Sequence, residues 1–313
     1  MDFKSIFIDP KLQIIILILL LLSYIIMPLN IKSYIGIIAG LYIISAFIMQ
    51  TKESIKEHGI INELKELLMI IILIVGILMF LKFWFKTDAP ISAIASCSMA
   101  KNINRGDLIF LSNRDNINAE IKINASIDDL FNLKTSIIFN NSEIATLNGS
   151  LFIYCRDKQN DICRIFNLNP DMFAEKRGPY LFYYGQCYRN NKMEPCITDI
   201  GFGDKRYKIR FTGDVIAYRP ANGTLFSFTG DIVHRAIIEI NDNGNVFYIT
   251  KGDNNNIFDI QIYNAGLYNT PVSKNQVIGK VIYSLPYLGY YKLFISPYVA
   301  EDYSCINTLL PPS

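Results

Sequence analysis

Apolar residues crowd into three runs near the start of the chain, and short alternating segments follow them. The runs cover about residues 12–29, 31–49 and 67–85. Each approaches the roughly 17–25 residues that a helix needs to cross a bilayer. Lipid offers no partner to backbone polar groups, so runs of this kind are helical there. The pattern predicts a membrane anchor over 1–88 with three transmembrane helices. Beyond Phe85 the apolar positions come in short strand-like pieces. Pro90–Met99 is a run of small and β-branched residues ending in a polar turn, and Arg105-Gly106-Asp107 leads into the buried strand Leu108–Leu111. Strands are again expected at Val215–Tyr218, Ile232–Ile238, Val246–Thr250 and about Val277–Tyr283, with Asn243-Gly244 as a hairpin turn. Between them, 112–211 alternates strand candidates (Thr135–Phe139, Ile144–Leu147, Leu151–Tyr154) with Asn-rich turns. No helix of real length is expected after Phe85, apart from the tail beyond Pro286. The resulting division is an anchor (1–88), a β domain from 89–111 and 212–284, a β-rich insertion (112–211) and a C-terminal membrane-interface segment (285–313). That last segment is apolar and rich in tyrosine up to Tyr298.

Charge adds an orientation. Lys4 and Lys11 precede the first run, and Lys52, Lys56 and Lys65 lie between the second and third. The positive-inside rule then places the N-terminus and that second loop in the cytoplasm and the β domain outside. Lys82 and Lys86, at the far end of the third run, go against the rule. The first run ends in Ile26-Met27-Pro28-Leu29, without the small residues of a cleavage site, and reads as a retained anchor. The formal net charge of +2 leaves no field for nucleic acid. Cys155, Cys163, Cys187 and Cys196 share the insertion; three pairings are open to them, and their spacing is not a zinc pattern. Cys97 and Cys305 are expected to stay unpaired. No cofactor or metal is called for. Sequons at Asn124, Asn140 and Asn148 suit an exposed insertion.

The candidate chemistry starts from histidine, because the region after Phe85 holds a single one, His234. His58 lies in the predicted cytoplasmic loop. Imidazole titrates near neutral pH and suits general-base work. Ser98 stands at the turn after the first strand; a serine hydroxyl becomes a nucleophile beside such a base. Its own N–H and the Ser96 hydroxyl are candidate oxyanion donors. Asp253, in a Gly-Asp-Asn-Asn turn, and Asp259, six residues on, are the carboxylates available to orient the imidazole.

In order, these segments resemble signal peptidase I in its archaeal and endoplasmic-reticulum branch (the Ser/His type of peptidase family S26). The carriers are Ser96-Cys97-Ser98-Met99, Arg105-Gly106-Asp107-Leu108-Ile109-Phe110, Gly213-Asp214-Val215-Ile216, Ile232-Val233-His234-Arg235, Lys251-Gly252-Asp253-Asn254-Asn255 and Pro286-Tyr287-Leu288-Gly289-Tyr290. Histidine, where the bacterial branch has lysine, places the chain with this group. The departures are Cys97 in place of glycine, Lys101 in place of proline, the insertion, and three anchors instead of one.

The resemblance implies a mostly antiparallel β domain of the signal peptidase/LexA-like fold. It also implies a membrane-bound serine endopeptidase that removes signal peptides from preproteins at the extracytoplasmic face. By residue, Ser98 would be the nucleophile, His234 the base, and Asp253 and Asp259 the acidic positions. A preprotein would add as a strand beside Ile91, Ala93, Ile94 and Ala95, whose pockets would admit small side chains. The bilayer and the protein-export channel are the expected partners. The alternative is a catalytically degenerate relative that acts as a binding or scaffold module through its insertion.

Overall fold

The computed structural model describes residues 5–27, 29–189, 192–295, 305 and 309–310. Four helices come first: α1 (Ser5–Ile8), α2 (Pro10–Ile26), α3 (Leu29–His58) and α4 (Ile60–Phe85). Two stretches, Tyr34–His58 and Ile60–Phe85, are long and apolar enough to cross a membrane; the apolar part of α2, Pro10–Tyr24, is shorter. Of the three expected spans, two have a described helix of that length, and α2 falls short of it. The loop expected around Lys52, Lys56 and Lys65 is helical. Only Gly59, at φ +81°, separates α3 from α4. Charged side chains do not end a helix; a backbone in the glycine-favoured region does.

Two sheets follow. Along the chain come β1 (Ile91–Ala93), β2 (Leu108–Ser112), β3 (Ile121–Asn124), β4 (Lys134–Phe139) and β5 (Ser142–Asn148). The short helices α5 (Leu151–Asp157) and α6 (Asp161–Leu168) come next. They lead to β6 (Phe173–Arg177), β7 (Tyr180–Arg189), β8 (Lys192–Phe202) and β9 (Lys205–Lys208). The chain then forms β10 (Val215–Tyr218), β11 (Ile232–Asp242) and β12 (Asn245–Lys251). A small hairpin, β13 (Tyr263–Asn264) with β14 (Leu267–Tyr268), precedes β15 (Val272–Ser273) and β16 (Val277–Leu285). Helix α7 (Tyr290–Ile295) and β17 (Leu309–Leu310) close the described chain.

The first sheet runs β1-β2-β16-β10-β11-β12-β15, with β3 added to β11 in parallel and every other pairing antiparallel. The hairpin β11–β12 turns on Asn243-Gly244, both at positive φ, as a two-residue turn requires. The second sheet, all antiparallel, runs β5-β4-β6-β7-β8-β9, with β17 on β7. A single hydrophobic core joins the sheets: Ile121, Ile238 and Ile249 from the first pack with Phe182, Tyr184 and Ile200 from the second. The strand β3 falls inside the range assigned to the insertion, yet pairs with β11.

Helices α5 and α6 correct the reading of that range as strands alone. Leu151–Tyr154 looks like a strand, but the Ser150 hydroxyl accepts from Ile153 N and Asn160 Oδ1 accepts from Cys163 N, two side-chain caps that start helices. The Cys155–Cys163 disulfide ties the two helices, and Cys187–Cys196 bridges β7 to β8. Cys97 and Cys305, expected to be free, form a third disulfide. The C-terminal segment beyond α7 lies outside the described residues, apart from Cys305 and β17.

Candidate active site

Strand β1 is the edge of the first sheet, paired on one side with β2 through Ile91–Phe110 and Ala93–Leu108. Pairing continues past its end, where Ile94 N donates to Asp107 O and Gly106 N to Ile94 O. The chain then turns sharply, and Ala100 N donates back to Cys97 O. This turn carries Ser98. The Lys251–Asn255 loop holds it from the other side, since Asn254 N donates to Ser98 O and Asn254 Nδ2 to Cys97 O. Gly252 is needed at that contact: a Cβ there would meet Ser98 O at 2.6 Å.

His234 projects from β11, opposite Ile216 of β10. Its Nε2 is 2.8 Å from Ser98 Oγ, and its Nδ1 is 2.7 Å from Asp259 Oδ2. The imidazole is buried, 3 % exposed, and the edge of Phe226 packs against it. Ser98 is half-buried, and Ser96, exposed, has its hydroxyl 3.2 Å away. Serine, histidine and aspartate therefore form one hydrogen-bonded row, in the order that lets an imidazole take a hydroxyl proton while a carboxylate stabilises the resulting cation.

Asp259 begins a short 3-10 turn with Ile260 and Gln261. Its Oδ2 also accepts from Thr250 Oγ1 at 2.6 Å and from Tyr218 OH at 3.0 Å. Burial, and then Asp259 itself, push the Tyr218 phenol well above its usual range, so it remains a donor. Neither Tyr218 nor Thr250 was singled out from the sequence. Their signal was alternation: Tyr218 ends the Val215–Tyr218 strand and Thr250 lies one residue before Lys251.

Asp253 does not meet the imidazole, which corrects its expected place beside the base. Arg235 takes it in a two-pronged pair at 2.8 and 2.6 Å, and Asn102 Nδ2 donates to it at 2.6 Å. Successive residues on a strand face opposite ways, so the partner of Arg235 is not the partner of His234. Asp253 links the turn after Ser98 to β11 as a structural ion pair.

The four residues expected to line a substrate strand do not share a face. Ile94 is buried among Met99, Ile103 and Ile109, while Ile91 and Ala93 are half-buried on the edge strand. Ala95 packs against Tyr24, Ala39 and Leu293, where α2, α3 and α7 meet. Tyr24 OH donates to Leu293 O in the same place. Contact with the apolar helices is thus made three residues before Ser98.

Residues of the second sheet also reach the site. Arg177 Nη1 donates to Ile260 O at 3.0 Å, Gln261 Nε2 donates to Glu175 Oε2, and Phe258 packs on Phe182. Arg189 donates to Asn254 O at 2.9 Å and to Asn256 Oδ1 at 3.1 Å. Leu309 N donates to Asn254 Oδ1, and the Cys97–Cys305 disulfide holds the residue before Ser98. Among the described residues no cluster of His, Cys, Asp or Glu is arranged to hold a metal.

No family model matches the chain. Curated relatives do. Over 122 residues it is 30% identical to the catalytic subunit of the signal peptidase complex of Candida tropicalis, covering 38% of this chain and 70% of that one. Over 128 residues it is 31% identical to the corresponding subunit of Scheffersomyces stipitis, covering 39% and 74%. Over 124 residues it is 32% identical to the catalytic subunit of Rattus norvegicus, covering 38% of this chain and 61% of that one. The relatives are catalytic subunits of a peptidase, and the antiparallel β domain behind apolar helices agrees with their type of fold. The chain belongs to the signal peptidase family, in its endoplasmic-reticulum type.

Proposed function

We propose that this protein is a membrane-bound serine endopeptidase that removes signal peptides from secreted preproteins, with its β domain at the extracytoplasmic face. The observation that carries the reading is the 2.8 Å approach of Ser98 Oγ to His234 Nε2, with Asp259 2.7 Å from the opposite ring nitrogen. These groups come from 98, 234 and 259, and no local packing rule would bring them together.

Neutral His234 accepts the Ser98 proton as Oγ attacks the scissile carbonyl carbon. The carbonyl electrons move to oxygen, and Ser98 N–H with the Ser96 hydroxyl holds that oxyanion. His234 then gives the proton to the leaving nitrogen, the C–N bond breaks, and an acyl ester stays on Ser98. Water, deprotonated by His234, attacks the ester and releases the signal peptide's carboxylate. Asp259 keeps the Nδ1 proton on the imidazole and stabilises the imidazolium in both halves. The preprotein adds to the free edge of β1, Ile91–Ala93, with a small side chain facing Ala93. Two apolar helices, α3 and α4, anchor the domain in the bilayer, and the export channel is the neighbour that would deliver substrate.

The test is cleavage of a preprotein by the full chain reconstituted in lipid. Ser98→Ala and His234→Ala should each lower turnover by roughly a thousandfold or more while the unfolding midpoint holds. Undiminished turnover in Ser98→Ala overturns the proposal.

A further inference from the structure

The end of α4 gathers positive charge that the chemistry at Ser98 does not use. No residue of α4 is buried, and its last turns expose Phe80, Phe83 and Trp84. Trp84 is the single tryptophan of the chain. Tryptophan and lysine at the end of an apolar helix mark the layer where hydrocarbon gives way to headgroups. Lys82 and Lys86 lie one helical turn apart in that layer, on the side where the positive-inside rule expects few cations. A lysine in a last helical turn favours the helix dipole, which accounts for Lys82 alone. It does not account for what the fold adds. Thr87 Oγ1 donates to Ile278 O at 2.7 Å and docks the helix end on the first sheet. Between helix and sheet lies a cleft of about 800 Å³, into which Arg114, after β2, and Arg219, after β10, bring two guanidinium groups. Four cations from three separate segments therefore face one carboxylate in the lining, Asp88. Arg219 shares its charge with Asp231 at 3.0 Å, which leaves the excess with Lys82, Lys86 and Arg114.

We infer that this cleft binds the phosphate headgroup of an anionic phospholipid. Planar guanidinium forks match phosphate oxygens, and the flexible lysine stems reach upward from the helix. The position of the cleft beside the aromatic turn puts it at the depth where such phosphates lie. Bound there, the lipid would join α4 to the β domain and fix the height of Ser98 above the bilayer. The inference rests on the reading of α4 as a membrane span.

Trp84 provides the measurement. The full chain is reconstituted in bilayers that mix phosphatidylglycerol with phosphatidylcholine, with bromine on the acyl chains of one lipid or the other. Brominated phosphatidylglycerol should quench Trp84 several-fold more than its mole fraction predicts, about fivefold if a single cation's attraction is retained. Arg114→Gln with Arg219→Gln, changes made on the sheet and away from the helix, should bring the two lipids close to parity. Lys292→Gln, in α7 and outside the cleft, should leave the preference in place. Equal quenching by the two lipids in the unaltered protein overturns the inference. So does a preference that survives Arg114→Gln/Arg219→Gln, since the helix lysines alone would then act as a diffuse charge. Loss of the preference on adding inorganic phosphate at constant ionic strength would assign the cleft to free phosphate and overturn the lipid. If neither lipid quenches Trp84, α4 is not in the bilayer, and the inference falls together with the spanning reading.

Discussion

Each of the two sheets buries a polar network, and they end differently. In the first, Tyr218, Thr250, Asp259 and His234 form a buried chain that ends on the half-buried Ser98 hydroxyl, beside the exposed Ser96. In the second, Glu175 accepts from Leu151 N, Gln261 Nε2 and Tyr184 OH, while Arg177 donates to Thr135 Oγ1, Gly149 O and Ile260 O. Burial pushes the Glu175 carboxyl up against the pull of Arg177, and pushes the Tyr184 phenol well above its range. By perturbation alone the second network is the more disturbed. It nevertheless closes on itself and on the turn that carries Asp259. A buried network becomes a candidate site when one end reaches a place where substrate can stand; without that end it positions its neighbours.

The contrast makes quantitative demands. Asp259→Asn should leave the hydroxyl and imidazole in place but lose the orienting charge, and kcat for preprotein cleavage should fall about ten-thousandfold. An unfolding midpoint within a few degrees of the parent would show that the loss is chemical. Next in size is Arg177→Met, which strips the buried Glu175 of its counter-charge. It should cost roughly 3–5 kcal/mol of stability, read by denaturant unfolding of the solubilised chain, with Glu175→Leu in the same molecule restoring part of it. A fall in kcat at undiminished stability would instead make the second network part of the catalytic machinery and erase the distinction drawn above.

The smallest effect concerns Lys251, fully buried behind the turn that carries Ser98, with its ammonium over the Phe211 ring and donating to Gly252 O and Asn255 O. Burial lowers its pKa to about 8 from an ordinary 10.5. The unfolded chain therefore binds the proton more tightly between those values. The penalty, roughly 3 kcal/mol, is present in full below pH 8 and is relieved as pH rises toward 10.5. The unfolding midpoint should climb from pH 7.5 to 9.5, below the range where the raised tyrosines titrate, and Lys251→Met should flatten the climb. A flat profile in the unaltered protein would place the amine in water.

Much of this was legible in order along the chain. The apolar runs, the Asn243-Gly244 hairpin and the boxes around Ser98 and His234 are local patterns, and period and turn chemistry determine them within a few residues. Helices α5 and α6 are not legible in the same way, because a short apolar run such as Leu151–Tyr154 fits either period until a cap decides it. What only the tertiary structure decided is which distant groups meet. Asp259 rather than Asp253 faces the imidazole because neighbouring residues of β11 point to opposite sides. Cys97 finds Cys305 across a separation of 208 residues, and the insertion braces both the Lys251–Asn255 loop behind Ser98 and the turn of Asp259 through Arg189 and Arg177. Such pairings depend on how strands stack and on which faces they bury, and no stretch of chain short enough to read as a pattern contains both partners.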